Sequence, residues 1–245
     1  MLRLVVFVIM LYVYVCYGAE SKTVTINTFE VSPYSNDKGT GFDDQIVKEA
    51  FKRIGYTVNI VHISAVERAV QNVDNGVDNG TYSRVQGIES LFKNIIPVKE
   101  PISNWEAMVF TTGLNFKVNG WKSINPYEVS YISGWKILEM NIHDPKSLVL
   151  ATDETNLFDL LVNNRVDLII YEKYQGVEFI NKHKLKNIVV LDQPLVTAAM
   201  YLYLNKNEAA LIPRLEQALK DMKKDGTYDR IKKNALPEIN HKEKE

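Results

Sequence analysis

The sequence predicts an α/β protein made of two similar halves, and three observations carry that prediction. Strand-like and helix-like patterns alternate along the chain, the hallmark of an α/β architecture. The hexapeptide at residues 73–78, VDNGVD, returns at residues 162–167 as VNNRVD, changed only at Asp74/Asn163 and Gly76/Arg165. Residues 166–171 (VDLIIY) form a nearly unbroken apolar run, which fits a strand covered on both faces in a parallel sheet.

The elements follow in order. Residues 23–28 (TVTINT) alternate apolar and polar side chains and predict a strand, and the turn-rich SPYSNDKGTG after it predicts a loop. Ile46, Val47, Ala50, Phe51 and Ile54 keep helical spacing, with Asp43 or Asp44 as cap and Gly55 as the stop. Residues 57–63 predict a second strand. Ser64 and Glu67 have the spacing of a capping box, and Val66, Ala69, Val70 and Val73 carry a helix into the first hexapeptide. The second half repeats the theme: a short strand at 129–132, a helix from Gly134, a strand at 147–151 (SLVLA), and a helix capped by Asp153 that bears Leu157, Leu160 and Leu161. The second hexapeptide closes that helix, the 166–171 strand follows, and residues 174–183 predict another helix. Near the end, Leu211, Ile212, Leu215, Ala218, Leu219 and Met222 form an apolar face of the kind that joins a core, and 240–245 reads as a frayed tail.

Composition bounds the function. The chain has 245 residues, 46% hydrophobic and 24% charged, enough for two lobes of about 100 residues each. A formal charge of -1 gives no electrostatic basis for a nucleic-acid partner. Arg3, the apolar run 4–15 and the small residues before Glu20 have the layout of a signal peptide spanning 1–18, cut after Gly18, with Ala19 as the other candidate. That run falls well short of the roughly 20 residues that cross a bilayer. Cys16 is a candidate for lipid attachment, although Tyr14-Val15 before it is not the small pair usual at such sites. Its removal leaves no cysteine and hence no disulfide, which suits a bacterial periplasm. The sequon Asn79-Gly80-Thr81 carries little weight. His62, His143, His183 and His241 are scattered without metal-ligand spacing, and no phosphate loop, nucleophile elbow or HExxH helix is present, so neither a metal nor another cofactor is expected.

If the hexapeptides are the same connection in two halves, the residues beyond the strands they feed lie where open α/β sheets bind ligands. These are Tyr82, Ser83 and Arg84 in the first half and Tyr171, Glu172 and Lys173 in the second. Arg84 is suited to grip a carboxylate, and Glu172 to accept bonds from an ammonium group, so together they fit a small zwitterion. Solvated loop charges are the competing reading of both.

Gly41-Phe42-Asp43-Asp44, Arg165-Val166-Asp167 and the segment 225–231 (DGTYDRI) together resemble, in order and spacing from Thr23 to Leu236, a divergent branch of the family 3 extracellular solute-binding proteins, the periplasmic amino-acid binders of ABC importers. The resemblance implies a type II periplasmic-binding-protein fold: lobe 1 at 19–110 and 196–245, lobe 2 at 111–195, and two hinge strands crossing near 110–112 and 195–199. It places Ser90 where the family has its carboxylate-binding arginine, leaving Arg84 as the substitute. It puts Glu172 at the usual aspartate position and Ser133-Gly134-Trp135 at the usual Gly-Thr helix entry. Tyr34 falls where the family stacks an aromatic on the ligand, Trp135 is a second candidate for that role, and Tyr82 and Trp105 are either ligand contacts or core. The function implied is capture of a small polar solute, an amino acid or related carboxylate, by a monomeric protein closing at a hinge for an importer. A dehydratase of prephenate-like acids on the same fold, with Glu172 as proton carrier, and a sensory module serving a separate membrane receptor are the alternatives.

Overall fold

The computed structural model describes residues 22–29 and 31–239. The expected signal peptide with its cleavage site, Cys16, His241 and the tail lie outside them. The first half runs β1 (Lys22–Thr28), α1 (Phe42–Arg53), β2 (Tyr56–His62), α2 (Val66–Asp74), β3 (Gly80–Arg84) and β4 (Ile95–Pro97). The long strand β5 (Ser103–Thr111) leads into β6 (Glu128–Ile132), α3 (Lys136–Glu139), β7 (Ser147–Ala151), α4 (Glu154–Val162), β8 (Leu168–Glu172), α5 (Lys173–His183) and β9 (Val189–Val190). A second long strand, β10 (Val196–Asn205), leads back to α6 (Ile212–Lys224) and α7 (Thr227–Ala235).

The strand order is β2-β1-β3-β10-β5-β8-β6-β7. It reads as two copies of one pattern. In the first, β2, β1 and β3 are parallel and β10 closes the edge antiparallel to β3. In the second, β7, β6 and β8 are parallel and β5 lies antiparallel to β8. The cores divide accordingly. One gathers Ile26, Ile46, Phe51, Leu202, Leu215 and Met222, so α6 returns its apolar face to the first half as the sequence indicates. The others gather Val109, Ile124, Val129 and Ile170, and Phe110, Phe158, Leu161 and Ile169.

Among the described strands, β5 and β10 carry the chain between the halves. Residues 196–200 of β10 pair with 103–107 of β5, and residues 201–205 pair with β3 and β4. The β10 crossing thus lies close to the 195–199 expected. The β5 crossing is earlier than 110–112, because Ala107, Val109 and Phe110 already pack in the second-half cores.

The hexapeptides do fold as the same connection, but offset by one residue from their sequence match. Gly76 and Asn164 both take positive φ, 72° and 51°. Their amides bond back to the carbonyls of Val73 and Leu161, and the next amides, of Val77 and Arg165, bond to Asn72 and Leu160. This is a Schellman ending for both α2 and α4. Asn79 then exchanges bonds with Thr25 through its amide and its side chain, as Asp167 does with Glu128. Structural equivalence therefore pairs Asn79 with Asp167, and by the same register Arg84 with Glu172, each the last residue of its strand.

Local signals fare unevenly. Asp153 caps α4 through a 2.8 Å bond from the Asn156 amide. Glu67 and Ser64 form no capping box, because α2 starts at Val66 with Ala65 as its cap and Ser64 is one residue too distant. Neither Asp43 nor Asp44 is the cap of α1. Gly41 is, and the Asp44 carboxylate reaches back to the amides of Gly41 (2.9 Å) and Asn36 (3.2 Å). The helix expected from Gly134 shortens to the single turn of α3.

Gly41 matters because the Pro33 and Tyr34 carbonyls accept the first amides of α1. A Cβ on residue 41 would lie 2.3 Å from the Tyr34 carbonyl oxygen. Gly41→Ala is therefore expected to destabilise the protein by about 1 to 3 kcal/mol, the usual cost of forcing atoms into a packed site, measured by urea denaturation.

Candidate functional site

In a parallel sheet the carboxyl ends of the strands share one edge, and here the two such edges face each other. The contacts that join them are specific. Tyr34, in the loop after β1, donates a 2.7 Å hydrogen bond from its hydroxyl to Oε1 of Glu172, at the end of β8. Ser32 in the same loop donates to Glu178 of α5 at 2.7 Å. The Tyr34 ring packs edge-on against Tyr174 of α5, centroids 6.3 Å apart, and against Phe42 of α1 at 6.5 Å.

Glu172 is 0% exposed. It sits one residue before α5 and acts as its N-cap, with Oε2 accepting from the amides of Tyr174 (3.0 Å) and Gln175 (2.9 Å). Each carboxylate oxygen therefore already has at least one donor. Burial pushes its carboxyl up to about 7, against the lowering effect of the helix amides and Tyr34. Burial, then the neighbouring Glu172 charge, drives the Tyr34 hydroxyl far above the ordinary tyrosine range, so it stays protonated as the donor. The expectation that Glu172 offers a free acceptor to a ligand ammonium group is corrected. Tyr34, expected to stack on a ligand, is only 6% exposed and works instead as a donor and a wedge between the halves.

Arg84, at the equivalent place on β3, has the opposite character. It is 7% exposed, and among the described residues its one side-chain hydrogen bond is a 3.3 Å contact from Nη1 to the Ser83 carbonyl. Nε and Nη2 are buried with no partner, and no carboxylate lies within ion-pair distance among the described residues. Burial lowers its guanidinium to about 10. A desolvated cation without an anion is costly, which makes it the group in this region that most calls for an outside partner. The backbone next to it is unusual, with Ser83 at φ 59° and a register irregularity where β3 meets β10.

The remaining sequence candidates divide. Tyr82 is fully buried in the first-half core, its hydroxyl 2.5 Å from Asp44 Oδ1. Ser83 bonds Asp43, which burial pushes up to about 7. Ser133 is exposed beside Gly134, whose φ is 91°. Trp135 is half-buried, stacked on Tyr171 with centroids 5.1 Å apart and 5.5 Å from Trp105. Trp105 itself packs against a second-half core near the crossing strands. The structure thus brings Tyr34 and Glu172 together directly, groups Tyr82 with Arg84 on β3, and keeps Ser133 and Trp135 after β6. Sequence reasoning missed the Tyr34–Glu172 bond, which joins residues 138 positions apart and leaves no local signal.

A probable amino-acid ABC transporter extracellular-binding protein from Bacillus subtilis superposes with a TM-score of 0.71 over 88% of this chain and 98% of that one, at 20% identity. Substrate-binding domain 2 of Lactococcus lactis GlnP, solved in its open conformation, gives 0.70 over 90% and 98%, at 17% identity. The chain has the two-lobed periplasmic-binding-protein fold. An uncharacterized protein of Shewanella oneidensis is 27% identical over 201 residues, covering 78% of this chain and 74% of the relative. No family model matches the chain. In the language of this fold, the loop of Tyr34 belongs to lobe 1 and Glu172 to lobe 2, so their bond is an inter-lobe bond.

Two buried carboxyls held above their ordinary values bind protons more tightly folded than unfolded. The stability they confer is complete below about pH 4 and is lost as pH rises through about 7. Unfolding free energy is therefore expected to fall between pH 4.5 and 8, and Glu172→Gln is expected to remove roughly half of that fall, on the order of 3 kcal/mol for a shift of this size. Denaturant titrations across this pH range check it.

Proposed function

We propose that this protein is an exported, monomeric solute-binding protein that captures a small carboxylate-bearing solute between its lobes and presents it to the membrane subunits of an ABC importer. The observation that carries the reading is Arg84: a buried guanidinium with two unpartnered nitrogens at the carboxyl end of a parallel strand. An ion pair with a solute carboxylate supplies the missing acceptor, and the planar guanidinium matches a carboxylate bidentately. The two-lobed fold supports the rest of the reading. The chain passes between the lobes through β5 and β10, so the lobes can rotate apart once the Tyr34–Glu172 and Ser32–Glu178 bonds release, and a solute touching both favours the closed form. Export rests on the signal-peptide layout of residues 1–18. A binding role rather than catalysis is favoured by Glu172, whose oxygens serve the α5 cap and Tyr34 instead of standing ready as a proton carrier.

The test pairs binding with stability. A solute at 100 times its Kd adds about 2.7 kcal/mol of stability, so a thermal-shift screen of organic acids, amino acids, amines and sugars should give hits among the carboxylates. Arg84→Met should weaken binding of any such hit by about 1.5 to 3 kcal/mol, the scale of a charged hydrogen bond. Because it removes an unpaired buried cation, the same substitution should leave the ligand-free melting temperature unchanged or raised. Unaltered affinity in Arg84→Met removes Arg84 from the site.

A further inference from the structure

Resting on the solute-binding reading above, we infer that the solute is an organic acid without an ammonium group, because lobe 1 itself fills the cation-accepting position that Glu172 would offer to an amino acid. The Tyr34 hydroxyl, 2.7 Å from Glu172 Oε1, covers that oxygen from the lobe 1 side, and Glu172 is 0% exposed. The other oxygen is held by the amides of Tyr174 and Gln175, which fix the start of α5. An incoming amine would therefore have to evict Tyr34. That means extracting a ring packed against Phe42 and Tyr174 and leaving its hydroxyl without an acceptor. The Ser32–Glu178 bond anchors the same loop to α5 a second time, so the eviction also breaks a further inter-lobe contact.

The other carboxyl of the region does not replace Glu172. Asp43 is 1% exposed and takes the Ser83 hydroxyl on Oδ2. Burial pushes it up to about 7, so near neutral pH a proton competes with any ammonium group for its free oxygen. The site therefore has one cation in want of an anion, while its two carboxyls, Glu172 and Asp43, are 0% and 1% exposed and out of an amine's reach unless the groups covering them move. A simple carboxylate satisfies Arg84 and asks nothing more of the charges present, whereas a zwitterion brings a second charge that must uncover a buried carboxyl to be balanced.

Matched pairs that differ only in the amine provide the test: glutarate with L-glutamate, 3-phenylpropionate with L-phenylalanine, and a panel of other two- to six-carbon acids with their α-amino counterparts. Titration calorimetry on the purified protein at pH 7.5 should find a deaminated member that binds at least tenfold more tightly than its amino partner. In Tyr34→Phe, which frees Glu172 Oε1, that gap should shrink by tenfold or more, a change a merely structural role for Tyr34 would not produce. Tighter binding of an amino acid than of its deaminated partner overturns the inference while leaving the solute-binding reading intact. Equal affinities within the pairs also overturn it. If no acid of either kind binds and Arg84→Met changes nothing, the solute-binding reading falls together with the inference.

Discussion

The bond between Tyr34 and Glu172 is the interaction on which the arrangement of this molecule turns. Both groups are buried, and each would be left without its partner if the lobes separated dry. Glu172 also anchors α5, so one carboxylate sets both the first turn of a helix and the distance between two lobes. The loop that carries Tyr34 is fixed from behind by the start of α1, where Gly41 lets the backbone of residues 33–35 approach without clash and Asp44 ties residues 36 and 41 together. Loss of any of these would reposition the hydroxyl that reaches across.

The two halves are built on one plan and used differently. Arg84 and Glu172 occupy the same position, the last residue of the third parallel strand, yet one is a cation with two unpartnered nitrogens and the other a carboxyl with a donor on each oxygen. The difference arises one residue later. Glu172 is followed at once by a helix whose free amides need an acceptor. Arg84 is followed by a loop, and among the described residues no helix end or carboxylate takes up its donors.

Much of the fold was legible in the chain. Periodicity and apolar runs located β1, β2, β3, β6, β7, β8 and the helices through α6, and the repeated hexapeptide marked a connection that both halves share, whereas β4 and β9 were not read and the long strands β5 and β10 came only from the family resemblance. Its register was misleading by one residue, because sequence identity aligned the valines while the backbone aligned the two positive-φ residues, Gly76 and Asn164. Short-range caps were read well where donor and acceptor are adjacent, as at Asp153. They were misread where the true helix start lay one or two residues off, as at Asp43, Asp44 and Ser64. Of the candidate site residues, Arg84 and Glu172 were chosen from the ends of the strands that the two hexapeptides feed, and only the one-residue offset in the backbone makes them equivalent. Tyr82 could not be told from core by sequence, since a tyrosine at the end of a strand looks the same whether its hydroxyl meets a solute or Asp44.

The sequence by itself determined the α/β class, the two-half plan and the strand ends where charge is placed, because these depend on periodicity and on residues close along the chain. Only the tertiary structure decided which of those charges is free. Whether a carboxylate has spare oxygens, or a guanidinium spare nitrogens, depends on donors and acceptors brought in from distant segments, and Tyr34 meets Glu172 only after two sheets have formed and turned their carboxyl ends toward each other.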